Sequence, residues 1–295
     1  MNNKKSLLIK ILFISTVVTV AFVMVFCFIF TKDKNDLDKN IVANNEEELL
    51  EQVSTLCMGF ADEVSVEMNI SNFNLDNFCK KLQDKINDKN PCLSINIRSF
   101  KIDRISGNNY KFSFQYHMSE IKYKLVNFEA KYIASKLNGL TNYEKIKAIH
   151  DYLCEISTYD AVATNDAFDI LYLHHGSCMG YSMSFSLIMQ ECGIPCKVAT
   201  STNHAWNAVQ VDGKWYNIDV TWDDATDKIS YDFFLKGNEE FISHSKNPIC
   251  ESESYNADLN YKFKISNNRR NLIVAFLISF IAVVVIVIKR IKRHT

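Results

Sequence analysis

The sequence predicts an α+β protein flanked by two membrane-spanning helices, and three observations carry that expectation. Residues 11–30 and 271–288 are uncharged, apolar stretches at either end of the chain, apart from the polar amides and hydroxyls they contain. Between them, segments with helical spacing alternate in blocks with segments of strict period-2 alternation, the pattern of helices and half-buried strands in one chain. Finally, Asp212-Gly213 sits between two strand-patterned runs, a strong signal for a two-residue hairpin turn.

About 20 helical residues span a hydrocarbon core, so 11–30 fits well and 271–288 sits at the short end, where snorkelling Lys289 or Arg290 can extend it. A cleaved signal peptide would need a shorter apolar stretch, about 7–15 residues, and a small-residue cleavage site. Phe28-Ile29-Phe30-Thr31-Lys32 offers none. Lys4, Lys5 and Lys10 precede the first span, and Lys289, Arg290, Lys292 and Arg293 follow the second. The positive-inside rule then places the tails, 1–10 and 289–295, in the cytoplasm and the middle of the chain outside, with Lys32, Lys34, Arg269 and Arg270 weighing against it.

Of the 295 residues 47% are hydrophobic, enough for a full core beside the two spans. A net charge of −1, from 33 basic and 34 acidic side chains, gives no electrostatic footprint for nucleic acid. Eight glycines and three prolines leave no room for long flexible linkers, and no internal repeat is present.

Residues 44–120 are expected to form an N-terminal α/β subdomain to which no chemistry is assigned, read as structural with a substrate-docking or spacer role as the alternative. Glu46 to Met58 and Leu75 to Asp88 carry helical spacing. Leu93, Ile95 and Ile97, then Tyr110, Phe112, Phe114 and Tyr116, alternate as two strands around Gly107-Asn108-Asn109.

Residues 121–265 form a second expected domain. Thr141-Asn142-Tyr143-Glu144 is a capping box opening a helix that buries Ile146, Ile149, Leu153 and Ile156. His150 and Asp151, inside that helix, read as structural. A further helix starts at Cys178, carries Tyr181, Phe185, Ile188 and Cys192 along one stripe, and ends at Gly193-Ile194-Pro195. Cys196 to Ser201, His204 to Val211 and Lys214 to Trp222 have strand character.

The chemistry gathers in these elements. A cysteine in the first turn of a helix meets unpaired amides and the positive end of the macrodipole, which favour thiolate. If the Asp212-Gly213 turn pairs Val211 with Lys214, continuing the register sets His204 opposite Thr221 and Trp206 opposite Asp219, on one face. His204 and Asp219 become diagonal neighbours within reach of a hydrogen bond, and a carboxylate-oriented histidine is what a base needs to activate a thiol. Val209, Tyr216, Ala205 and Val220 would face the core on the other side. A satisfied His–Asp surface pair is the bland alternative.

Gly176-Ser177-Cys178-Met179-Gly180-Tyr181-Ser182, His204-Ala205-Trp206-Asn207, and Asp212 to Asp223 resemble the three core motifs of the bacterial transglutaminase-like superfamily, in the same order. The resemblance extends over about Leu125 to Ser245. It implies a papain-like fold, a cysteine-bearing helix packed on an antiparallel sheet bearing the histidine and aspartate. It also implies catalytic roles for Cys178 as nucleophile, His204 as general base and acid, and Asp219 as orienter, with the nucleophile's own amide and a second donor stabilising the oxyanion. Ser177 departs mildly from the small apolar residue common at that position and could cap the helix.

The expected reaction is acyl transfer from a peptide or protein amide, resolved by water or by an amine, with cell-envelope peptides or surface proteins as substrates if the domain lies outside. It needs no cofactor. A zinc site built from His174, His175, Cys178, Cys192, Cys196 and His204 is disfavoured, since no CxxC pair is present and adjacent His174 and His175 converge poorly. A catalytically inactive, membrane-anchored binding module is the competing reading. Setting Cys27 and Cys178 aside leaves seven cysteines, an odd number, which points to few structural disulfides.

Overall fold

A computed structural model describes residues 40–71, 73–224 and 228–265. The expected spans, 11–30 and 271–288, and the tails 1–10 and 289–295 lie outside the described residues. Among the described residues no helix is long and apolar enough to cross a membrane.

Two hydrophobic cores organise the described chain. The first contains a four-stranded sheet: β1 (Asn40–Ala43), β2 (Glu63–Met68), β3 (Ile97–Ser106) and β4 (Asn109–Tyr116), in the order β1-β2-β4-β3. β2 alternates exposed and buried positions, so Val64, Val66 and Met68 face inward with Phe112 and Phe114 of β4. Helices α1 (Glu46–Met58) and α2 (Leu75–Lys89) cover that face through Leu49, Val53, Phe78 and Leu82. Asn45 and Asn74 cap them, each accepting from a first-turn amide.

Two expectations change here. Leu93 and Ile95 belong not to a strand but to a short helix, α3 (Pro91–Asn96). Asn90 caps it by accepting from the Leu93 amide, and Pro91 stands at the first helical position, where its missing N–H costs nothing. β1 and β2 were not anticipated; β1 is only four residues long and runs parallel to β2.

The second core is built mainly from the segment after Met118, with Leu93 of α3 and Met118 itself joining it. Helix α4 (Glu120–Ser135) leads to α5 (Asn142–Ile156), which opens with the expected capping box: Glu144 N donates to Thr141 Oγ1 and Thr141 N to a Glu144 carboxylate oxygen. β5 (Thr158–Tyr159) and β6 (His175–Gly176) form a two-stranded parallel pair around a π-helical turn, Asp169–Leu173. Then come α6 (Cys178–Glu191) and a three-stranded antiparallel sheet of β7 (Cys196–Thr200), β8 (Ala205–Val211) and β9 (Lys214–Ile218). Expected as a one-sided stripe, α6 is instead buried from Gly180 to Met189 all round, because α4, α5, α3 and the sheet enclose it. Gly193, at φ 71°, takes the left-handed conformation that ends it.

The hairpin has the expected turn, with positive φ at Asp212 and Gly213, and the expected register from Val211–Lys214 through Asn207–Ile218. It does not continue. β9 stops at Ile218, and Asp219 caps a short helix, α7 (Val220–Asp223), by accepting from the Thr221 and Trp222 amides. The pairings of His204 with Thr221 and of Trp206 with Asp219 are therefore absent from the ladder; Trp206 pairs with Ala199 of β7 instead. Nor does the sheet have a polar open face. Trp206, Ala208 and Asn217 are as buried as Val209 and Tyr216.

Candidate active site

Cys178 heads α6 against the loop that precedes it. Ser177 holds the cap position, but its hydroxyl donates to Asn165 Oδ1 at 2.6 Å and makes no bond to the helix. The first-turn amides thus escape a side-chain cap, and the amides of Met179 in that turn and of Ala205 at the start of β8 favour the Cys178 thiolate. Gly180 allows the turn to press against the loop: a Cβ there would stand 2.8 Å from the Asp166 carbonyl oxygen. That loop is fastened in turn by Asp166, whose carboxylate pairs with Lys122 of α4 at 2.8 Å and accepts from the Asp169 amide.

His204 lies one residue before β8. Its Nε2 stands 2.6 Å from Asp219 Oδ2, and the same imidazole lies near enough to Cys178 for each to favour the other's charged form. With Nε2 committed to the carboxylate, Nδ1 is the nitrogen left for sulfur. Trp222 of α7 stacks on the imidazole with ring centres 4.9 Å apart while staying 40% exposed, and Trp206 covers it at 6.1 Å.

Asp219 sits where β9 becomes α7. Oδ1 accepts from the Thr221 and Trp222 amides at 3.0 and 3.2 Å. Oδ2 accepts from His204 and from a second histidine, His244, whose Nε2 is 2.9 Å away. The structure therefore brings together all three residues expected from sequence and adds His244, which no sequence motif marked.

Burial opposes charge on each of the three, and in each the specific partners prevail. For Cys178, the hydrogen bond with His204 and the two backbone amides outweigh burial and hold the thiol below its ordinary value. Burial favours a neutral His204, yet Asp219 and Cys178 together raise its pKa to about 9. Asp219 is likewise buried, but the donors on His204 and His244 keep its carboxyl below the usual carboxylate range. These directions are those of a thiolate–imidazolium pair steadied by a carboxylate.

A second buried polar cluster lies at the other end of α7. His150 of α5 reaches Asp151 Oδ1 through Nδ1 at 3.0 Å and Asp223 Oδ2 through Nε2 at 3.1 Å. Lys147, fully buried, donates to Asp151 Oδ2 at 2.7 Å and to the Tyr231 hydroxyl at 2.9 Å. His150 and Asp151 thus tie α5 to the last residue of the helix whose first cap is Asp219, in keeping with a structural role.

Among the described residues, the donor atoms of His204, Asp219 and His244 lie within 4.8 Å of one another. Two ligands on a tetrahedral zinc with bonds of about 2.0–2.1 Å would stand about 3.4 Å apart. Oδ2 is 2.6 and 2.9 Å from the two nitrogens, which is hydrogen-bond spacing. His174, His175, Cys192 and Cys196 do not join this group, and each of the eight cysteines among the described residues is a free thiol.

Residues 131–220 match the sequence model of the transglutaminase-like superfamily. They form a transglutaminase-like domain. Cys178, His204 and Asp219 all fall within the match, whereas His244 lies beyond it. The domain is of mixed α/β build, with the thiol at the head of α6 and its two partners at the edge of the sheet. The kyphoscoliosis peptidase of Homo sapiens is 29% identical over 129 residues, which is 35% of this chain and 20% of that protein. Its Mus musculus counterpart is 27% identical over 132 residues, with the same two shares. The chain thus spans about a fifth of the length of these curated relatives. A solved structure described as a TGase is 14% identical, covering 65% of this chain and 62% of that one at a TM-score of 0.33.

Proposed function

We propose that this chain is a membrane-anchored thiol enzyme that cleaves or transfers peptide or glutamine amides through a thioester on Cys178. One observation carries the proposal: a single imidazole, His204, stands 2.6 Å from a buried carboxylate and lies near enough to the thiol at the head of α6 that the two groups favour each other's charged form. A satisfied His–Asp pair alone would not need a helix-terminal sulfur beside it.

In the proposed cycle the Cys178 thiolate attacks the amide carbonyl carbon, forming a C–S bond and a tetrahedral oxyanion. The amides at the head of α6, which no side chain caps, are the natural place for that charge. As the intermediate collapses the C–N bond breaks, and His204 gives its Nδ1 proton to the leaving amine. Water or a second amine then attacks the thioester while His204 takes its proton; the thiolate leaves and the ion pair is restored. Asp219 holds the imidazole in line throughout. Water gives hydrolysis, the outcome that the name of the kyphoscoliosis peptidases favours, and an amine gives a crosslink.

Hydropathy of residues 11–30 and 271–288 supports a two-pass anchor with the domain outside and both termini cytoplasmic, making envelope peptides or surface proteins the proposed substrates. The test is to incubate full-length wild type and Cys178→Ala with candidate envelope peptides and to follow the products by mass spectrometry. A thioester, ammonia loss, cleaved peptide or isopeptide bond seen with wild type alone supports the proposal. Identical product profiles, together with Cys178 alkylation no faster than a free thiol at pH 6, would leave the inactive binding module.

A further inference from the structure

His244 occupies a position that neither the motif match nor the triad requires. It lies in a loop after the second core's sheet, beyond the matched residues 131–220, yet its side chain is only 1% exposed and its Nε2 stands 2.9 Å from Asp219 Oδ2. The same oxygen accepts from His204 at 2.6 Å. Since Nε2 faces a carboxylate oxygen, it must carry a hydrogen to make this contact.

The surroundings fix the ring. Phe241 stacks on it with centres 3.9 Å apart, Trp222 lies at 4.3 Å, and Trp206 meets it edge-on at 4.9 Å. The loop bends to present it: Ser243, the residue before, has φ 74°, a left-handed conformation that costs a non-glycine residue energy and persists only where the surroundings enforce it. Trp206 and Trp222 also touch His204, so the two imidazoles share two aromatic walls and one carboxylate oxygen.

We propose that His244 is a positioning residue for the thiol site, fixing Asp219 Oδ2 and drawing off part of the negative charge that would otherwise act on His204 alone. The inference rests on the reading of Cys178, His204 and Asp219 as the reacting set, which it extends by a fourth member. All four acceptor directions of the Asp219 carboxylate are then filled: two by the amides of Thr221 and Trp222, two by imidazoles. A carboxylate so held cannot rotate away when His204 exchanges its proton with substrate. Because Oδ2 serves two donors, its pull on the His204 imidazolium is also weaker than that of a carboxylate devoted to one. His244 thereby tunes His204 toward giving up its proton to the leaving amine.

The titratable groups facing His204 are Cys178 from α6, Asp219 from the head of α7 and His244 from the loop. Asp223, at the far end of α7, lies close enough to be repelled by the Asp219 charge. The measurement is therefore a pH profile of Cys178 alkylation in the full-length protein. Iodoacetate is the reagent, because its carboxylate is attracted by the imidazolium and the rate falls when His204 loses its proton; the Cys178 peptide is quantified by mass spectrometry to separate it from the other thiols.

His244→Phe keeps the stacked ring and deletes the donor. The expected result is a descending limb moved up by about one pH unit, because Oδ2 then acts on His204 alone. His244→Gln, which restores an N–H donor, should return the limb toward wild type. A merely structural role would lower thermal stability or amplitude without moving the limb. Limbs unchanged in a folded His244→Phe protein, or moved equally by Phe and Gln, would overturn the proposal. If neither variant folds, histidine ¹⁵N–¹H spectra of the wild type decide it: a proton on Nε2 of His244 is expected, and an Nε2 without one refutes the contact. Should wild-type Cys178 itself titrate as an ordinary thiol with no descending limb, it is the enzymatic reading that fails, and that outcome is distinct from a failure of the His244 proposal.

Discussion

His204 and Asp219 meet at 2.6 Å although both lie outside the hydrogen-bonded part of the hairpin that joins them. β8 begins one residue after the histidine and β9 ends one residue before the aspartate. The hairpin brings the two strand ends together, and the departure of the chain into α7 then turns the carboxylate to face the ring, while two backbone amides clamp its other oxygen.

Asp219→Asn tests that clamp. It removes the negative charge and places an N–H₂ or a carbonyl where Oδ2 now receives two imidazoles. We expect a loss of about 10²–10⁴-fold in the rate of Cys178 acylation, the range attributable to a positioned acid–base group, with the fold retained by circular dichroism. A loss below about threefold would remove Asp219 from the proposed machinery.

pH dependence follows from the two shifted groups. Cys178 is depressed and His204 raised to about 9, so the ion pair exists between those limits and is lost as pH climbs through about 9. His204 is raised above its ordinary 6.5, so its contribution to folding stability is fully present below 6.5 and disappears as pH rises from there through about 9. Asp219 is depressed below 3.8; its contribution is present above that value and is lost as pH falls through its lower folded value. Urea midpoints measured from pH 5 to 10, compared with His204→Gln, should converge toward the alkaline end.

Lys147→Met tests the buried cluster behind α7. The ammonium is fully buried on Asp151 and the Tyr231 hydroxyl, and its removal strands a carboxylate that also holds His150. Breaking one side of a buried pair costs about 3–5 kcal/mol. Urea denaturation should register that loss, and Asp151→Leu in the same protein should recover part of it.

Gly180→Ala tests the seating of the nucleophile. The added methyl would meet the Asp166 backbone oxygen at 2.8 Å and the Ile170 side chain at 3.2 Å; the backbone atom cannot swing aside. We expect about 1–3 kcal/mol of destabilisation and slower Cys178 alkylation, since the first turn of α6 must lift from the loop. Gly139→Ala is the control; there a Cβ meets nothing within 4 Å, and its φ of 86° strains the backbone far from the thiol.

Local chemistry made much of this protein legible in its sequence. The capping box at Thr141 and Glu144, the Asp212-Gly213 turn, the helix opening at Cys178 and its stop at Gly193 each depend on a few adjacent residues, and each is found where those residues stand. The strand assigned to Leu93 and Ile95 went astray because alternation of apolar residues in a short run does not separate strand from helix, while Asn90-Pro91 supplies a helix start. The strand drawn through Asp219 went astray for a similar reason: an aspartate whose side chain can accept from amides two and three residues on competes with the ladder and wins.

By itself, then, the sequence determined the order and local form of the thiol, imidazole and carboxylate elements, because turns, caps and periodicity are written in neighbouring residues. It could not decide how Asp219 is aimed, that Ser177 would serve Asn165 rather than its own helix, or that His244, 25 residues downstream, would return to the same oxygen. Those are contacts between segments distant in the chain, set by packing around α6 and α7, and only the tertiary structure holds that information.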